Sequence, residues 1–285
     1  MIKDRESPHK GLFITDLDGT LLGSDGSFAQ RDLDALETLS RHGIKTAVAT
    51  GRSLHSFINS PGADLAVDYI IFTTGAGVAT QPGYELLYQV NLSPEMVAQT
   101  LEIMSKSSLD FMLHHPLPDN HMYLYRRANQ DNTDFESRIE RHKEFGQPLD
   151  TIHLNGFGEA SQFIAVVPPE KSRDALEVLR RGLPGLSVVH ATSPLDHESS
   201  WIELFHPEVS KGKTAAWLAS ELGIDGGNTI AVGNDYNDLD LLEWAAHSFV
   251  VENAPDDMKS RFETVSSNND GGVAEAVGRI HFISE

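Results

Sequence analysis

Short apolar runs alternate along the chain with stretches in which apolar positions recur every third or fourth place. Gly11–Asp16 (Gly-Leu-Phe-Ile-Thr-Asp) is a continuous run closed by a carboxylate and followed by Gly19. It predicts a buried strand and then a loop. Leu33, Leu36 and Leu39 recur at helical spacing among charges, and Gly43 stops that helix. Ile44–Thr50 and Tyr69–Thr73 predict two further strands. Strand, helix and strand in this rhythm predict a parallel sheet covered by helices.

From Tyr84 the pattern changes. Strand-like runs stand at Tyr84–Val90, Leu109–Leu113, His121–Tyr125, Ser161–Val167 and Leu186–His190, with helical patterns at Asn132–Lys143 and Glu170–Arg181. Ser93-Pro94-Glu95 is a helix start, with a hydroxyl cap, a proline in the first turn and an acid near the positive end of the dipole. Pro116 and Pro118 mark a loop. The first rhythm then returns, with strands at Ser200–Phe205, Asn228–Val232 and Ser248–Val251 and helices at Lys213–Leu222 and Asp238–Ala246. The expected fold is α/β: a parallel-sheet core from two pieces, 1–82 and 194–285, with an α+β insert, 83–193, carrying a largely antiparallel sheet.

Composition narrows the function classes. The chain has 285 residues, 22 Lys+Arg against 42 Asp+Glu and a formal charge of −20. A basic footprint for non-specific nucleic-acid binding is missing, and so is one for anionic lipid. With no cysteine, disulfides, thiolate metal sites and a cysteine nucleophile are excluded. No stretch approaches a membrane span of about 20 apolar residues, and Met1–Glu6 lacks the apolar core of a signal peptide. A cytoplasmic protein is the expectation.

Candidate chemistry starts at Asp16-Leu17-Asp18-Gly19-Thr20, beyond the first strand. Ligands of open α/β sheets bind past the carboxyl ends of strands. Two carboxylates this close repel each other unless a divalent cation sits between them, because hard cations take oxygen ligands. One can then serve as nucleophile and the other as general acid and base. The plain alternative for the isolated motif is a solvated loop pair.

The surrounding residues decide between these. Phe13-Ile-Thr-Asp16-Leu-Asp18-Gly-Thr20-Leu-Leu22 resembles the first motif of the haloacid dehalogenase superfamily. Ala49-Thr50-Gly51-Arg52 resembles its second motif and Ser210-Lys211-Gly212-Lys213 its third. Gly233-Asn234-Asp235-Tyr236-Asn237-Asp238 resembles the fourth, and Asn253-Ala254 and Asp270-Gly271-Gly272-Val273-Ala274 look like its Cof-like, sugar-phosphatase branch. The resemblance implies a Rossmann-like core with a mobile C2B-type cap. It also implies Mg²⁺-dependent hydrolysis of small phosphorylated metabolites through an aspartyl-phosphate. Carried over by position, Asp16 is the nucleophile and Asp18 the acid and base. Thr50, Gly51, Gly19, Arg52 and Asn237 bind substrate, and Lys211 neutralises charge on both phosphate and Asp16. Asp16, Asp18, Asn234, Asp235 and Asp238 are the candidate metal ligands. The family usually has aspartate where Asn234 stands, which removes one negative charge from the set and leaves the direct ligand open among Asn234, Asp235 and Asp238. A phosphomutase of the same superfamily and a non-hydrolytic binding relative are the alternatives.

Other features carry less. Gly212-Lys213-Thr214 lacks the first glycine of a P-loop, since Pro207 stands there. Gly75-Ala76-Gly77 lacks the third glycine of a dinucleotide fingerprint, where Thr80 stands, and is expected to be a turn toward the insert. Among the 13 histidines, His114, His115, His121, His142, His153 and His190 fall in the insert. They are read as solvated or core imidazoles. Arg126-Arg127 is read as an ordinary strand end.

Overall fold

A computed structural model describes residues 9–128, 131–149, 157–193 and 195–280. His153 and Pro194, like Met1–Glu6, lie outside the described residues. The chain opens with β1 (Gly11–Asp16), α1 (Gln30–Arg41), β2 (Ile44–Ala49), α2 (Leu54–Ile58), β3 (Tyr69–Phe72), β4 (Gly77–Thr80) and β5 (Leu86–Gln89). There follow α3 (Pro94–Lys106), β6 (Asp110–His114), β7 (Tyr123–Arg126), α4 (Thr133–Arg141), β8 (Gly146–Pro148), β9 (Gln162–Val167), α5 (Ser172–Gly182), β10 (Ser187–Thr192) and β11 (Ser200–Phe205). The last stretch holds α6 (Lys211–Leu222), β12 (Thr229–Gly233), α7 (Leu239–Trp244), β13 (His247–Val251), α8 (Asp256–Lys259), β14 (Glu263–Val265) and α9 (Gly272–Gly278). Two compact units result: Met1–Gln89 with Ser210–Glu285, and Val90–Val209.

The first unit is built on an eight-stranded sheet in the order β14-β13-β12-β1-β2-β3-β4-β5. The six strands from β14 to β3 run parallel; β4 and β5 turn back antiparallel. All six residues of β1 are buried, as a strand covered on both faces requires. From β1 the chain steps outward to β2 and β3, and it re-enters on the other side at β12. The order therefore reverses beside β1, and the carboxyl ends of β2, β1 and β12 lie next to one another. This switch point is where open α/β sheets form ligand crevices.

The second unit is a six-stranded sheet in the order β10-β11-β9-β6-β7-β8, antiparallel except between β7 and β8. Alternating side chains sort to its two faces. Phe111, Leu113, Phe163, Ala165, Ile202 and Leu204 pack with Val97, Leu101 and Met104 of α3 and Ala175 and Leu179 of α5. Met112, Tyr123, Ile164 and Val166 pack with Phe135 and Ile139 of α4.

Three assignments differ from the sequence pattern. Tyr84–Val90 was expected in the insert, but β5 pairs with β4 and extends the first sheet. Ser200–Phe205 was expected in the core, but β11 lies between β10 and β9 in the second sheet. Both are short buried or half-buried strands, and an apolar run carries no information about its partner strand. Gly75–Gly77 does not lead toward the insert; it closes the β3–β4 hairpin after a 3-10 turn at Thr73–Gly75.

His114 is buried in the second unit, where its Nδ1–H donates to the Asn120 carbonyl at 2.7 Å. Its Nε2 has no partner among the described residues. Burial, with the Arg138 charge adding, pushes the imidazole down to about 3 from its ordinary 6.5. The unfolded chain takes up this proton at a higher pH than the folded one. Stability from neutral His114 is therefore complete above the unfolded value and is lost as pH falls toward the folded one. Going from about pH 7.5 to about pH 5.5 should remove ~1.4 kcal/mol from this source. Urea unfolding followed at Trp201, with Trp217 and Trp244 replaced by Phe, should show that slope in the parent and a shallower one in His114→Gln. Equal slopes would remove His114 as the source.

Candidate active site

Three strand ends and one helix start supply the site. After β1 the chain turns tightly, the Leu22 N–H donating to the Leu17 carbonyl at 2.8 Å. Gly19 takes φ +79° in this turn, and a Cβ there would stand 2.7 Å from the Asn234 amide nitrogen. Both constraints call for glycine. The turn separates the two carboxylates: Asp16 faces Lys211, and Asp18 faces Arg52.

Lys211 opens α6. Ser210 caps that helix, its Oγ accepting the Lys213 N–H at 3.2 Å. Gly75 lies against the cap, where a Cβ would come within 2.4 Å of the Ser210 carbonyl, and Thr214 Oγ1 donates to the Gly75 carbonyl at 2.6 Å. The β3–β4 turn thereby fixes the helix start. The Lys211 ammonium is fully buried and donates to Asp16 Oδ1 and to Asp238 Oδ1, each at 2.6 Å. Burial opposes its charge, but the two carboxylates outweigh that and hold it well above the ordinary lysine range. Asp16 is pushed up, by burial first and by Asp238 next, because one ammonium serves two carboxylates.

Asn234 follows β12. In one orientation its amide oxygen accepts from Thr20 Oγ1 at 3.0 Å and faces the Asp18 carbonyl and Asp16 Oδ2. Turned over, its nitrogen donates to Thr20 Oγ1, the Asp18 carbonyl and Asp16 Oδ2 at 3.0, 3.2 and 3.2 Å. The turned-over amide satisfies its three neighbours by hydrogen bonds; in the first orientation three oxygens face one another, which a hard cation between them would offset. The Asp238 carboxylate is placed otherwise: its Oδ1 takes Lys211, and its Oδ2 takes the N–H groups of Asn234 and Asp235 at 2.9 and 3.2 Å. The expected gathering of several carboxylates is not found. Among the described residues, no group of three His, Cys, Asp or Glu side chains is arranged to hold a metal.

On the other side, Arg52 donates from Nε to Asp18 Oδ2 at 2.9 Å and from Nη2 to Asp18 Oδ1 at 2.6 Å. Burial lowers the Arg52 pKa, but Asp18 outweighs it and the net direction is up. Thr50 Oγ1 accepts the Arg52 N–H at 3.1 Å and lies 3.5 Å from Asp18 Oδ2. Gly51 stands beside Thr74, whose N–H donates to the Thr50 carbonyl at 3.0 Å. Asn237 is half-buried in the 3-10 turn before α7. Arg126 and Arg127 are engaged elsewhere, Arg126 with the Met104 and Ser105 carbonyls and Arg127 with Glu136.

Sequence reasoning assigned no role to Asn253, Asn268 or Asp240. Asn253 Nδ2 donates to the Gly19 carbonyl at 2.8 Å, and the Asn268 N–H donates to Asn253 Oδ1 at 3.0 Å. Asp240 Oδ2 accepts the Gly212 N–H at 2.8 Å. Asn253 stands in one of the phrases that carry the resemblance, but residue type does not name a hydrogen-bond partner.

A family model for haloacid dehalogenase-like hydrolases matches residues 13–277. The chain belongs to that family. Among curated relatives, YxeH of Bacillus subtilis (strain 168), named as a candidate phosphatase, is 26% identical over 272 residues, covering 93% of this chain and 96% of the relative. The 5-amino-6-(5-phospho-D-ribitylamino)uracil phosphatase YwtE of the same organism is 24% identical over 284 residues, covering 93% and 96%. Among solved structures, the phosphatase BT1666 of Bacteroides thetaiotaomicron superposes with TM-score 0.76 at 20% identity over 97% of both chains. The subclass IIB sugar phosphatase BT4131 does so with TM-score 0.73 at 20% identity, over 96% of this chain and 99% of its own. These place the haloacid dehalogenase-like chain in the phosphoric monoester hydrolase class, with the fold of that family.

Replacing Lys211 by Met leaves two buried carboxylates without their shared counter-charge. Such losses cost about 3–5 kcal/mol. Urea unfolding of Lys211→Met should show a loss of that order; a loss below about 1 kcal/mol would mean the carboxylates find other compensation.

Proposed function

We propose that this protein is a cytoplasmic, Mg²⁺-dependent phosphatase that hydrolyses small phosphomonoesters, sugar phosphates foremost, through a phosphorylated Asp16. The reading rests above all on Asp16: one of its oxygens is held by a buried ammonium, and the other faces the Asp18 carbonyl and the Asn234 amide.

Asp16 attacks phosphorus, the bond to the ester oxygen breaks, and Asp18 gives that oxygen its proton. Asp18 then takes a proton from water as the water oxygen attacks the aspartyl-phosphate, which breaks the bond from Asp16 to phosphorus, releases inorganic phosphate and leaves Asp16 a carboxylate and Asp18 protonated, as at the start. Lys211 holds Asp16 and balances charge that builds on the phosphoryl oxygens. Thr50, the Gly51 N–H and Asn237 hold those oxygens, and Arg52 adds a fork of donors. Asp16, the Asp18 carbonyl and the Asn234 amide oxygen would hold Mg²⁺, which when bound supplies positive charge against the repulsion between Asp16 and the phosphate dianion. Asp238 acts behind this set: it fixes the backbone of Asn234 and the head of Lys211. The second unit is proposed to be the cap that selects the substrate. The sugar phosphatase BT4131, which shares the fold, supports sugar phosphates as the first substrates to examine.

Across a panel of hexose, pentose and disaccharide phosphates with nucleotide, flavin and pyridoxal phosphates, phosphate release should require Mg²⁺. Asp16→Asn should cost at least about a thousandfold in turnover; equal turnover by both proteins would end the assignment of Asp16. Transfer of phosphate to an isomeric sugar without its release would mark a mutase.

Asn234→Asp adds a charge to the oxygen set. It should lower the Mg²⁺ concentration for half-maximal turnover by roughly tenfold, with calorimetric Mg²⁺ binding tightened in step. Unchanged binding would remove Asn234 from that set.

A further inference from the structure

Around Asp16 both Lys211 and Arg52 are already committed to carboxylates. Lys211 is shared by Asp16 and Asp238, and both oxygens of Asp18 are held by the Arg52 fork. A phosphoryl group is itself anionic, so either of these cations must be shared with it or given up to it by a carboxylate. The two cations differ in how readily they change partner. The side chains of Lys211, Asp16 and Asp238 are 0%, 6% and 0% exposed. Parting them strands a buried charge, which is costly. The Arg52 and Asp18 side chains are 26% and 39% exposed, so each retains contact with water when the pair opens. Opening this half-exposed pair therefore costs less than parting the buried trio.

Shape points the same way. A guanidinium presents two parallel N–H donors, and these fit two phosphate oxygens as well as two carboxylate oxygens. Thr50 Oγ1, which accepts the Arg52 N–H, holds the backbone of Arg52 in place while its head group turns. The carboxylate that would be set free is Asp18, the group assigned to proton transfer. While the fork is closed, both its oxygens are occupied and neither can approach a leaving group.

We propose that Arg52 exchanges partners during the reaction: it holds Asp18 inactive until the phosphoryl group of the substrate takes over the guanidinium and releases Asp18. This inference rests on the phosphatase reading of the same site. It makes Arg52 a positioning residue for Asp18 as well as a phosphate ligand, and it makes release of the acid conditional on an occupied site. Inorganic phosphate alone should drive the exchange, because it carries the same oxygens.

The test is a double-mutant cycle on the binding of inorganic phosphate at fixed Mg²⁺, measured by calorimetry without turnover. It uses the parent protein, Asp18→Asn, Arg52→Ala and the double variant. Asp18→Asn frees the guanidinium, so it should tighten phosphate about tenfold more when Arg52 is present than when it is absent, a coupling within the usual range for contacting residues. A simple loss of like-charge repulsion would tighten phosphate by the same factor in both backgrounds, and that result overturns the exchange. Thermal midpoints establish that each variant is folded. If Arg52→Ala is not, Arg52→Lys keeps the charge and removes the fork, and the coupling should fall with it; full retention overturns the proposal. Absence of hydrolysis across the phosphomonoester panel would end the phosphatase reading but leave this cycle measurable. Equal factors would end the exchange and leave turnover untouched.

Discussion

A lysine ammonium buried between two carboxylates organises the first unit. Lys211 reaches Asp16, 195 positions earlier in the chain, and Asp238, 27 positions later. It thereby ties the end of β1, the start of α6 and the turn beyond β12 to one point. Burying three charged groups is not a good source of stability, since desolvation offsets most of the Coulombic gain. What the arrangement does fix is position. Asp238 carries the constraint onward through Asn234 and Asp235, whose N–H groups it accepts. Asn234 carries it to Thr20 and back to the loop after β1. The glycines follow from the same closeness, Gly19 against Asn234 and Gly75 against Ser210.

Much of this was legible in the sequence because it is local. The apolar run Gly11–Asp16 can only be a covered strand, and a carboxylate that ends such a run lies at a crevice when the sheet is parallel. Thr50 and Asn234 could be placed by the same argument, each directly after an apolar strand. Pairing between distant segments was not legible. Leu86–Gln89 and Ser200–Phe205 were found as strands but put in the wrong sheets, because neither hydrophobicity nor β-propensity names a neighbour. The partners of the site residues escaped for the same reason. Asp18 and Arg52 are 34 positions apart, and their spacing gives no hint that the fork lies on the acid.

The expected metal set shows the limit more sharply. Counting acids in the motifs suggested several carboxylates around one cation, yet the groups that meet at the Asn234 amide are one Asp16 carboxylate oxygen, the Asp18 carbonyl and the Thr20 hydroxyl. A backbone carbonyl is invisible to a reading by residue type, and the Asp238 carboxylate accepts hydrogen bonds from Lys211, Asn234 and Asp235.

The charge of the chain returns in this light. A net −20 predicts long-range repulsion of an anionic ligand, so attraction has to be made at short range. The structure makes it by keeping its cations in place with its own carboxylates rather than leaving them exposed. An uncommitted arginine or lysine in so acidic a protein would find some carboxylate partner in any case. Committing Lys211 and Arg52 to Asp16 and Asp18 places them within one hydrogen bond of the groups proposed to react. Each cation then exerts its field at the end of β1, and the surrounding excess of acid does not draw it away.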